Sequence, residues 1–133
     1  MRQLDDRTFV SGQIRPEDVA GLKAKGVSMI VNNRPDGEDP GQPRAADIEA
    51  AAEEAGIAYR FVPIQRGIGP ADVECMQEAM DAAGGKLLVF CRSGNRSALA
   101  WAVARRDQGA SIEEIEAAAA RAGIDLAPVA HLL

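Results

Sequence analysis

Apolar positions along this chain come in short blocks of two spacings. Continuous or alternating runs over Thr8–Ile14, Val27–Val31, Ile57–Ile64 and Lys86–Phe90 predict four strands. Between them lie stretches with helical spacing and helix punctuation. Pro16-Glu17-Asp18 opens one helix, with Val19, Leu22 and Ala24 facing inward and Gly26 ending it. Ala45–Ala55 is an Ala-rich helix closed by Gly56, and Pro70–Ala83 is a helix stopped by Gly84-Gly85. Ala98 to Ala104 is apolar on every side, which predicts a buried helix. Ser111-Ile112-Glu113-Glu114 is a capping box for a last helix ending at Gly123, followed by a short apolar tail.

Strands alternating with helices predict an α/β three-layer sandwich: a mainly parallel central sheet with helices on both faces. Residues 1–133 form a single domain, with no internal repeat and no long linker. Ligands in such folds bind beyond the carboxyl ends of the strands. Three loops are expected to meet there, over 32–43, 65–69 and 91–96.

The loop at 91–96 carries the chemistry. It reads Cys91-Arg92-Ser93-Gly94-Asn95-Arg96, with Ser97 behind it, and joins a buried strand to a buried helix. Such a loop turns free backbone N–H groups toward one point, and the helix dipole adds positive potential there. Helix N-termini and nearby cations favour a thiolate over a thiol. Cys91 is therefore the candidate nucleophile. Arg96 is the candidate oxyanion clamp, because a guanidinium grips such a group with two parallel hydrogen bonds. Ser97 is placed to donate to the sulfur. Arg92, Ser93, Gly94 and Asn95 supply the anion-binding amides.

Composition narrows the partners. The chain has 47% hydrophobic and 26% charged residues and a net charge of −5, which argues against nucleic acid. Two cysteines make no disulfide framework, and an active thiolate needs a reducing compartment. Met1 to Asp6 lacks the apolar core of a signal peptide, and no run approaches the ~20 residues of a membrane span. The expectation is a cytoplasmic protein. One His and two distant Cys assemble no metal site, and no Gly-rich nucleotide-binding pattern is present, so no cofactor is expected.

Other polar residues are weaker candidates. Arg34, Asp36 and Glu38 follow a strand end at the predicted ligand edge. Arg34 is a candidate second cation, and Asp36 and Glu38 are candidates for acid or base; Pro35-Asp36-Gly37 is equally a plain turn. Asp72 is a further acid candidate, although an acid in a helix's first turn also serves the dipole. Arg66 is a third cation candidate or a solvent-facing loop residue. Cys75 and Trp101 read as core, and His131 as a surface residue.

Cys-x-x-Gly-x-Arg-Ser after a strand resembles the phosphate loop of cysteine-based tyrosine and dual-specificity phosphatases. Further matches are Ser11-Gly12-Gln13, Pro16-Glu17-Asp18, Asn33-Arg34-Pro35-Asp36-Gly37-Glu38 and Ala122-Gly123-Ile124-Asp125-Leu126. Together they resemble the phosphatase-like domain of bacterial β-lactamase-hydrolase-like proteins (DUF442). The resemblance implies a dual-specificity-phosphatase-like fold with Cys91 as nucleophile and a small anionic substrate. The phosphatase loop places five residues between Cys and Arg, where this one places four. Phosphatases carry His before the Cys, where this chain has Phe90, and an acid where this chain reads Gln65 to Gly69. The six-residue loop looks like that of single-domain rhodaneses, which carry sulfane sulfur. Three functions remain open: phosphomonoester hydrolysis through a phosphocysteine, sulfur transfer through a persulfide on Cys91, and oxyanion binding without catalysis.

Overall fold

The computed structural model describes residues 1–133. Five strands form one sheet: β1 (Arg2–Gln3), β2 (Thr8–Ser11), β3 (Val27–Asn32), β4 (Ala58–Phe61) and β5 (Lys86–Phe90). Their order is β1-β2-β5-β3-β4. β1 runs antiparallel to β2, and every other neighbouring pair is parallel. β5 is central, so the residue after it, Cys91, lies at the middle of the strands' carboxyl edge. Five α-helices follow the expected alternation: α1 (Val19–Ala24), α2 (Ala45–Ala55), α3 (Pro70–Ala82), α4 (Asn95–Asp107) and α5 (Ile112–Ala122). Turns of 3-10 helix precede α1 over Pro16–Asp18 and end the chain over Ala127–Leu132.

Successive strand residues point to opposite faces, and this splits the core in two. On one face Ile30, Leu88 and Phe90 pack with Val19 and Leu22 of α1 and Ile48 and Ala52 of α2. On the other, Met29, Val31, Leu87 and Val89 pack with α3, α4 and α5 through Met76, Met80, Trp101 and Ile115. The fold is the expected α/β three-layer sandwich.

The differences from expectation have local causes. β1 has two residues and too little pattern to read. β4 stops at Phe61, ahead of Pro63, which has no N–H for a ladder. Helix α4 starts at Asn95, three residues before the apolar run. Arg96 and Ser97 therefore belong to its first turn. Ala24, expected inside, is exposed at the end of α1. Cys75, expected in the core, is exposed, because α3 buries Met76, Ala79 and Met80 instead.

Candidate active site

Three chain segments set the cysteine loop. Cys91 N–H donates to Ser11 O (3.3 Å) and Gln13 N–H to Arg92 O (3.3 Å), so the turn after β2 runs alongside the loop. A side chain at Gly12 would put its Cβ 2.9 Å from Arg92 O. At Gly94 the chain turns with φ of 95°, the left-handed region in which a residue without Cβ is at ease. That turn aims the Gly94 N–H at the cysteine, and it donates to Cys91 Sγ at 3.1 Å. Arg2 ties the outside of the loop. Its Nη2 donates to Ser93 O (3.1 Å) and Asn95 Oδ1 (3.4 Å), and its Nη1 to Ala122 O (3.0 Å). Nothing in the local sequence singled out Arg2. Cys91 is 1% exposed, beneath a loop whose Arg92, Ser93 and Asn95 face solvent.

Arg96 projects from α4 toward the 32–43 loop. Its Nη1 donates to Glu38 Oε2 (2.9 Å) and to Ile64 O (2.8 Å), and its Nη2 donates to Glu38 Oε1 (3.0 Å). A guanidinium carries five N–H donors in a fixed fork. Glu38 and Ile64 occupy three of them, which leaves the edge made by Nε–H and the second Nη2 hydrogen. That edge can hold two oxygens of one oxyanion. The hydrogen bond that Arg96 donates to Glu38 raises the Arg96 pKa above its usual value against the opposing effect of burial, and the charge of Glu38 adds to it.

Arg34 does something other than expected. It is 4% exposed, and its donors go to Glu38 Oε1 (3.0 Å), Gln13 Oε1 (3.1 Å) and Asp39 Oδ2 (2.6 Å). A group so enclosed holds the loop together instead of meeting a substrate. Glu38 is thus shared by two arginines. The hydrogen bond from Arg96 lowers its pKa against the opposing effect of burial, and Arg34 adds to the lowering. The carboxylate that anchors Arg96 is therefore favoured in its ionised form. Asp39, absent from the sequence-based candidates, also lies 3.4 Å from Arg92 Nη2.

The remaining candidates fall elsewhere. Asp36 Oδ1 accepts from Ala45 N–H (2.7 Å) at the start of α2, and Asp72 Oδ2 from Gly69 N–H (2.9 Å) at the start of α3. Both act as helix caps. Ser97 is wholly buried, and its Oγ has no hydrogen-bond partner; the expected bond to the sulfur is not formed. Arg66 is exposed in its loop. Trp101 is core, at 3% exposure. No group of three or more His, Cys, Asp or Glu is arranged to hold a metal, and no helix is long and apolar enough to cross a membrane.

The sequence and the fold have counterparts among known proteins. Residues 1–110 match the model of the phosphatase-like domain of β-lactamase hydrolase-like proteins. The chain belongs to that family. A β-lactamase hydrolase-like protein of Xylella fastidiosa is 37% identical over 125 residues, 92% of this chain. The match spans 29% of that relative, so the chain corresponds to under a third of its length. A solved candidate phosphatase of Neisseria meningitidis superposes with a TM-score of 0.83 at 30% identity, covering 99% of this chain and 97% of that one. TpbA of P. aeruginosa, solved with phosphotyrosine, superposes with a TM-score of 0.60 at 20% identity, covering 86% of this chain and 67% of that one. That likeness speaks for the fold of this phosphatase-like domain.

Proposed function

We propose that this phosphatase-like domain is a cysteine-dependent hydrolase of small phosphomonoesters. The observation that carries the reading is the free donor edge of Arg96, pinned from behind by Glu38 and Ile64 O, in the same loop as a sulfur that accepts from Gly94 N–H. The Cys91 thiolate attacks phosphorus in line. A sulfur–phosphorus bond forms as the ester oxygen leaves with its electron pair. Water then attacks the phosphocysteine, the sulfur–phosphorus bond breaks, and phosphate and the thiolate are released. Arg96 and the loop amides hold the non-bridging oxygens as charge builds on them. Asp36 and Asp72 are engaged as caps, and Glu38 and Asp39 are each paired with arginines, so the leaving oxygen departs without an acid of the protein. The preferred substrates are therefore those whose leaving oxygen is stable as an anion.

A second reading is favoured by one observation: the lack of an available acid together with the four-residue spacing between Cys91 and Arg96. In sulfur transfer the Cys91 thiolate attacks the outer sulfur of a donor such as thiosulfate. Sulfite leaves with the electron pair, and an acceptor thiolate later removes the sulfane sulfur. No alkoxide has to be protonated.

The test supplies para-nitrophenyl phosphate and, separately, thiosulfate with cyanide. Phosphate release that disappears in Cys91→Ser supports hydrolysis, and thiocyanate that disappears in the same variant supports sulfur transfer. Neither product, with phosphate still bound, leaves an oxyanion-binding module. A Cys91 that iodoacetate fails to alkylate in the folded protein overturns both catalytic readings.

A further inference from the structure

Beside Arg96 lies a cleft of about 280 Å³. Ile64, Ile68, Leu99, Val129 and Leu132 give it an apolar wall, and Arg96 and His131 line it as well. Ile64 and Arg96 belong to the site already described, since the carbonyl of one holds the guanidinium of the other. The cleft and the anion site are therefore adjacent. The far wall is the terminal 3-10 turn, Ala127–Leu132, which lies outside residues 1–110 of the family match. This chain carries 20 acidic residues, yet none of the residues lining the cleft is a carboxylate. Lined by a cation, a histidine and aliphatic side chains, it suits the apolar part of an anion and repels no negative charge.

We infer that this cleft is the subsite for the organic group of the substrate. The group it takes is small and apolar, such as a phenyl ring or a branched alkyl chain, attached to the oxyanion held at Arg96. Sugar and polyol phosphates, which carry many hydroxyls, leave their polar groups unpaired against these aliphatic walls and are rejected. The terminal turn, not the cysteine loop, sets this preference. The inference rests on the anion site of the proposed function and does not require that the bound ester be cleaved.

Calorimetry with phenylphosphonate and methylphosphonate tests it, since neither is hydrolysed. The expected result is about tenfold tighter binding of phenylphosphonate, from burial of the ring. In Leu132→Ser that advantage shrinks severalfold. Leu132 is 41% exposed, so the substitution leaves the fold intact, which an unchanged melting temperature verifies. Equal affinity for the two phosphonates in the unaltered chain, or an advantage that survives Leu132→Ser undiminished, overturns the subsite and leaves the anion site standing. Binding of neither overturns the anion site and the subsite together.

Discussion

Glu38 is the single carboxylate through which Arg34 and Arg96 are joined, and its side chain is 21% exposed. Replacing it with Gln keeps the shape and removes the charge. Arg96 then loses both anchoring bonds to a carboxylate, and its free edge no longer faces one direction. The expected cost in kcat/KM is about 100-fold, in line with the loss of one preorganised charge contact. The fold should lose about 2 kcal/mol, less than for a fully buried pair. The pH dependence gives the sign. The folded-state pKa of Glu38 lies below its ordinary 4.5, so the contribution is complete above that value. It is lost as pH falls through the lower, folded-state pKa. Urea unfolding of the two proteins should therefore differ at pH 7 and draw together as pH falls below 4.5; a gap that stays constant on acidification overturns the assignment. Gly94 offers a second residue-level test. A Cβ there would sit 2.7 Å from Arg2 Nη2, at a φ of 95°. Gly94→Ala should cost about 1–3 kcal/mol and slow alkylation of Cys91, because the N–H that meets the sulfur moves with the turn.

At the scale of elements, the caps separate two readings of the acids. Asp36 and Asp72 each satisfy an N–H at the start of a helix. Asp36→Ala and Asp72→Ala should each lower stability by about 1 kcal/mol, as cap removal does elsewhere. Neither should move the acid or base limb of the pH–rate profile; a lost limb in either variant would make that residue the missing acid. The sequence made the choice between acid and cap undecidable, since the same carboxylate at the same spacing serves both. Elements with strong internal pattern were legible: the blocks at Ala45–Ala55 and Lys86–Phe90 fold with those bounds. By sequence Arg34 is a candidate second cation or part of a plain turn; in the fold it is enclosed by Glu38 and Asp39 of its own loop and by Gln13 from the turn after β2. Residue type and spacing do not say which charges within one loop will neutralise each other once it folds. The terminal turn was equally opaque, since the cleft that His131 and Arg96 both line is made by residues over 60 positions apart.

For the whole molecule, the consequence is a coupling between anion and fold. The site joins segments from β2 (Cys91 with Ser11), the 32–43 loop (Glu38), the stretch after β4 (Ile64 O) and the start of α4. An oxyanion on the Arg96 edge adds one more link among them and binds the unfolded chain negligibly. At ten times its dissociation constant it stabilises the folded state by about 1.4 kcal/mol. For a domain of this size that is about 3–5 °C in melting temperature. Phosphate and thiosulfate should both produce the rise in the unaltered chain, since both present two oxygens to the same fork. Chloride at matched ionic strength should not, which separates binding from screening of the net charge of −5. Arg96→Ala should abolish the rise, and Cys91→Ser should retain it, because the guanidinium holds the anion and the sulfur only reacts with it. A rise that survives in Arg96→Ala would place the anion elsewhere, and would take from Cys91 the clamp on which both catalytic readings depend.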